Sequence, residues 1–119
     1  MYVAWILAWL RAFALTAVIE VPIAVWMLEP AEPSVARRGI LAFFANLSSH
    51  PCVWFVFAFL PLPLAANTAL AEAWAFVSEA AFYFVAFKGV GLRRAAATSL
   101  LANGSSFAVG LLLEPWLTP

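Results

Sequence analysis

The chain has 119 residues, of which 66% are hydrophobic and 10% charged, with six Lys plus Arg balanced by six Asp plus Glu and a mean hydropathy of +1.00. Soluble domains carry about 25% charged and about 45–50% apolar residues, so this chain lacks the polarity to clothe a water-facing surface. Disorder, which needs low hydrophobicity and high net charge, is excluded by the same balance, and zero net charge leaves no basic footprint for nucleic acid.

A bilayer core about 30 Å thick is crossed by about 20 apolar residues in a helix. Four stretches meet that requirement, and they predict helices over 8–28, 39–60, 68–87 and 95–113. The fold expected is therefore all-α: a polytopic membrane protein whose single domain, 1–119, holds four transmembrane helices. The first break carries Glu29, Pro30, Glu32 and Pro33 and reads as a turn. The second, with Pro61, Pro63 and Asn67, is another proline-interrupted loop. The third sets Gly89 and Gly91 among Lys88, Arg93 and Arg94. Barrel strands would alternate polar and apolar residues, and these runs do not. After the apolar run Met1 to Leu10, Ala12-Phe13-Ala14 has the form of a signal-cleavage site. A basic leading segment is missing, however, so the run is expected to be retained as a span.

Arg37, Arg38, Lys88, Arg93 and Arg94 all follow the first or third helix, whereas Arg11 stands on the opposite side. Because Lys and Arg favour the cytoplasmic side, both termini are expected outside the cytoplasm, in a multi-pass protein of the bacterial inner membrane.

The two halves share an order of residues. Val18-Ile19-Glu20, Arg37-Arg38 and Ala45-Asn46-Leu47-Ser48-Ser49 in the first are matched by Val77-Ser78-Glu79, Arg93-Arg94 and Ala102-Asn103-Gly104-Ser105-Ser106 in the second. A repeat two helices long returns the chain to its starting side. The halves are thus expected to be duplicated hairpins, parallel and related by a pseudo-two-fold axis along the membrane normal. Coincidence in a chain of low complexity is the alternative.

Counting at 1.5 Å per residue puts Glu20 and Asn46 about 12 Å from the inner helix ends, with Glu79 and Asn103 at about 14 Å. Ser49 and Ser106 follow their asparagines by three positions and share their helix faces. Charged groups at such depth are costly, so they face a bundle interior and mark function. Two carboxyl groups with amide and hydroxyl oxygens make a candidate proton or cation site. The competing reading is a hydrogen-bonded layer that holds helices together. His50 joins the candidates as a relay partner for Glu20, and Pro51 beside it removes a backbone donor from the second helix. One His with two carboxylates is a weak metal pattern, and no metal site or cofactor is expected. Farther along, Glu72 shares a face with Glu79 and is within reach of Arg11, and Tyr83 stands one turn from Glu79. Gly104 and Gly110 give the fourth helix a small-residue face.

Three functions are compatible with these residues. The first is a proton- or cation-linked transporter or channel subunit. Four short helices leave little room for a pathway, so a homo-oligomer or a partner membrane subunit is expected alongside the lipid bilayer. The second is a non-catalytic subunit whose polar layer serves packing. A membrane enzyme using His50 and Glu20 comes last, because neither a nucleophile nor a metal cage accompanies them.

Overall fold

A computed structural model describes residues 1–117, so the last two residues of the expected domain lie outside the described residues. Four long helices form a bundle: α1 (Tyr2–Met27), α2 (Val35–Phe55), α3 (Leu64–Ala86) and α4 (Leu92–Leu117). A 3-10 turn, Phe57–Phe59, follows α2. Each of the four helical segments is long and apolar enough to cross a membrane. At 1.5 Å per residue, helices of 21–26 residues are about 32–39 Å long, within the 43 Å long axis of the molecule.

The helices begin three to six residues before the predicted spans, because hydrophobicity locates a membrane crossing and not the hydrogen-bonded ends beyond it. The second helix shows the opposite error. It stops at Phe55 instead of continuing to residue 60. Leu60 precedes Pro61 and is extended, with ψ 139°, as the clash with a following proline ring requires. Pro63 then stands at the N-cap of α3 and launches it. Pro22 and Pro51 lie inside α1 and α2, and both helices run through them.

Around the bundle, α1 packs on α2 and α4, and α3 packs on the same two neighbours. Consequently α1 stands diagonally opposite α3, and α2 opposite α4. The two short loops, 28–34 and 87–91, lie at one end, which we call the loop end. The terminal end holds Met1 and the segment joining α2 to α3. At the loop end the first turn is closed by polar groups: Ser34 accepts from the Arg37 N–H at 3.2 Å, and the Arg38 guanidinium donates to the Glu32 carbonyl at 2.6 Å. Arg94 donates to the Met27 carbonyl at 2.8 Å and so closes the open end of α1 from the other hairpin. Arg37 also pairs with Glu32 at 3.2 Å.

The interior has three zones. Toward the loop end, Leu28, Tyr83, Phe87 and Val90 fill the space between the small side chains of Ala24, Ala42, Ala45 and Ala95. The middle is polar, with Glu20, Asn46, Ser49, Glu79, Ser99 and Asn103 buried. Toward the terminal end the packing opens into cavities. Outside, the surface is apolar: Val18, Trp26, Ile40, Val85, Leu100 and Leu112 are each more than half exposed.

Candidate functional site

The polar zone is built by helix faces. On α2, Asn46 and Ser49 share the inward stripe with Ala42 and Ala45. Ser99, Ala102, Asn103 and Ser106 do the same on α4, since positions three and four apart lie one above the other. α1 and α3 each send one carboxyl group into the centre. Glu20 and Glu79 are 0% and 1% exposed.

Standing on diagonal helices, the two carboxyl groups come within hydrogen-bonding reach of each other. Each is also held by a serine of the other hairpin. Ser49 on α2 donates to Glu79 Oε1 at 2.5 Å, and Ser106 on α4 donates to Glu20 Oε1. Asn103 adds a bond to Glu79 Oε2 at 2.9 Å, so both oxygens of Glu79 accept. No donor among the described residues reaches Glu20 Oε2.

The asparagines behave differently. Asn103 bridges Glu79 and its own helix, through the Ser99 carbonyl at 3.0 Å and the Ser99 hydroxyl at 3.2 Å. Asn46 does not pair with Glu20. Its amide donates one turn back, to the Ala42 carbonyl at 3.0 Å, and its Oδ1 is buried without a donor. Thus six of the seven candidate residues line one central cavity of about 140 Å³: Glu20, Ser49, His50, Glu79, Asn103 and Ser106. Asn46 is buried beside them, with its backbone carbonyl accepting from Ser49 at 3.2 Å.

His50 packs between aromatic rings, edge-on to Phe13 at 5.5 Å and stacked on Trp54 at 6.4 Å. Its Nδ1 is buried without a partner, and the expected relay bond to Glu20 is not formed. Tyr83 is likewise not bonded to Glu79. Its hydroxyl is buried and unpartnered while its ring packs on Phe82 and Phe87, because apolar burial below the site outweighs one hydrogen bond. Among the described residues Arg11 forms no ion pair with Glu72; it is exposed at the bundle surface. The glycines of α4 do not make its close contacts either. A Cβ added at Gly104 or Gly110 meets nothing within 4 Å, and the helix packs through Ala95, Ser99 and Ala102.

Three polar contributors were not singled out in the sequence. Ser99 donates to the Phe76 carbonyl at 2.8 Å and so ties α4 to α3, and Trp74 donates to the Ser49 carbonyl at 3.3 Å. Thr98 is buried and returns its hydroxyl to Arg94 of its own helix at 2.7 Å. The position of Ser99, one helical turn before Asn103, was a usable clue; nothing in local sequence marks Trp74. Among the described residues no group of three or more His, Cys, Asp or Glu side chains converges as metal ligands do. No family model matches the chain, and neither a curated protein nor a solved structure matches it.

Proposed function

We propose that this chain is a small multi-pass membrane protein that carries a proton or a cation, with Glu20 and Glu79 as the groups that hold it. The observation that carries the reading is the facing pair of buried carboxyl groups at the bundle centre. Two carboxylates in contact within an apolar interior require a shared proton or a cation between them. A site that accepts either one can exchange them, since a bound monovalent cation replaces the charge of the proton it releases. Ser49, Ser106 and Asn103 fix the carboxyl groups from above and beside, leaving Glu20 Oε2 as the free acceptor.

Within this reading the site arose by duplication of one hairpin. Its support is a register that repeats. The pairs Glu20 and Glu79, Ala24 and Tyr83, Met27 and Ala86, and Leu28 and Phe87 share one offset, covering both a helix end and its inward face. A second constant offset relates Val35 and Leu92, the first residues of α2 and α4. It also relates Ala45 to Ala102, Asn46 to Asn103 and Ser49 to Ser106. The offsets differ by the two extra residues of the first short loop. The reciprocal reach of each serine to the other half's glutamate is what a two-fold axis through the centre produces. With one narrow cavity per chain, transport across the membrane calls for a homo-oligomer or a partner subunit.

The satisfied bonding of Glu79 favours a second reading, a non-catalytic membrane subunit in which the layer only joins helices. Flux into proteoliposomes separates them. Glu20→Gln and Glu79→Gln keep shape and hydrogen bonding but cannot release a proton, so each is expected to abolish pH- or cation-driven flux while the bundle stays folded. Unchanged flux in both variants overturns the transport reading. A wild-type protein without flux, copurifying with other membrane proteins, establishes the subunit instead.

A further inference from the structure

The central cavity shares lining residues with two others, both on its terminal side. A cavity of about 340 Å³ between α1, α2 and α3 is lined by Trp5, Trp54, Asn67, Thr68 and Glu72. Another of about 550 Å³ between α3 and α4 is lined by Thr68, Glu72, Phe76, Asn103, Gly104 and Phe107. Glu72 also lines the central chamber with Glu20 and Glu79, so this half-buried carboxyl group is common to all three spaces. It lies two turns nearer the terminal end than Glu79, on the same face of α3. Toward the loop end the chamber is stopped by the packed layer of Ala24, Leu28, Ala42, Ala45, Tyr83 and Phe87.

Two oxygen acceptors along this route are unsatisfied, among hydroxyl, indole and imidazole groups that also line it. Asn67 Oδ1 in the outer cavity and Glu20 Oε2 in the chamber are buried without a donor, and Glu20 itself is fully enclosed. No Lys or Arg lines any of the three cavities. A chamber of about 140 Å³ has room for several waters, each of which takes about 30 Å³ in the liquid, or for a small hydrated cation.

We propose that Glu72 is the outer station of a one-sided path that draws cations from the terminal end of the bundle to the Glu20 and Glu79 pair. The path rests on the reading of that pair as a cation or proton site, and it adds the direction of access and a third carboxylate that acts before the pair. Low-dielectric walls around one sign of charge concentrate counter-ions and exclude co-ions.

Chemical accessibility tests this without requiring transport, so its failure is distinct from a failure of the flux assay. In protein with Cys52→Ser, single cysteines are placed at Thr16 and at Val53, both on the chamber wall and from different helices, and at Ala42 in the stopper. Right-side-out and inverted vesicles are treated with three methanethiosulfonates, bearing a trimethylammonium, a sulfonate or no charge. The chamber cysteines should react from the terminal end alone and favour the cationic reagent, while position 42 should resist from both sides. Glu72→Gln should lower the cationic-to-anionic rate ratio by about tenfold, the low end of enrichment by a charged cleft. The rate with the uncharged reagent should stay the same, which shows the fold intact. Reaction from the loop end, or a ratio unmoved by Glu72→Gln, overturns the proposal.

Discussion

Glu20 and Glu79 are the same residue type at matching depth, yet their surroundings are unequal. Glu79 accepts from Ser49 and Asn103, whereas Glu20 accepts from Ser106 and keeps one oxygen without a donor. The difference comes from Asn46, whose amide turns back to Ala42 where Asn103 reaches across to Glu79. Removing Ser106 therefore strips Glu20 of its donor among the described residues, while removing Ser49 leaves Glu79 still held by Asn103. Ser106→Ala should lower unfolding stability in detergent by about 1–2 kcal/mol, the scale of a lost hydrogen bond to a buried polar group. Ser49→Ala should cost less, nearer the about 0.6 kcal/mol average for hydrogen bonds between membrane helices. Ser48, whose hydroxyl bonds the Ala45 carbonyl of its own helix at 2.7 Å, serves as control and should change stability by less than about 0.5 kcal/mol on replacement by Ala. Thermal melts followed by circular dichroism rank the three. Equal losses would contradict the asymmetry of the site.

Among the elements, the two short loops close the helix ends by different means. Loop 28–34 is stitched by Glu32, Ser34 and Arg38, while loop 87–91 relies on Gly89, whose φ of 86° lies in the left-handed region. A β-carbon there is strained whatever space surrounds it. Gly104, by contrast, sits within α4 in open space. The two glycines should respond with opposite signs. Gly89→Ala should destabilise the bundle by about 1–2 kcal/mol. Gly104→Ala should stabilise it by about 0.5–1 kcal/mol, because alanine loses less backbone freedom in a helix. Midpoints of thermal unfolding for both variants, measured in one detergent, provide the comparison. A loss of stability at Gly104 would mean that this face packs against something beyond the single chain.

For the molecule as a whole, the even number of helices puts the start of α1 and the end of α4 at the same end of the bundle, and at the other the two short loops, with Arg37, Arg38, Arg93 and Arg94 in the first turns of the helices that follow them. In this arrangement Arg38 and Arg94 are also structural, since both close backbone carbonyls of α1 or its loop. Because Lys and Arg favour the cytoplasmic side, the expected placement is loops inward. Single cysteines at the exposed positions Pro33 and Ala66, again without Cys52, report it. Position 66 should label with an impermeant maleimide on intact bacterial cells, and position 33 only after permeabilisation. Ready labelling of position 33 from outside would reverse the orientation and, with it, the side from which Glu72 receives cations.

Composition and periodic interruption were enough to read an all-helical chain of four long apolar segments, because hydrophobicity and proline act locally and survive in any environment. The repeated order of Glu, Arg-Arg and Asn-x-Ser-Ser likewise marked out the residues that now line or flank one cavity, since residues three and four apart must share a helix face. What local sequence could not decide is which faces meet. The square arrangement of helices puts Glu20 against Glu79 across a diagonal and crosses the serines between hairpins. It also leaves Asn46 turned onto its own helix, surrounds His50 with aromatic rings and removes Tyr83 from the site. Those outcomes depend on how side chains of different volume fill one shared interior, where a carboxyl group on one helix takes its donors from helices far away in the chain.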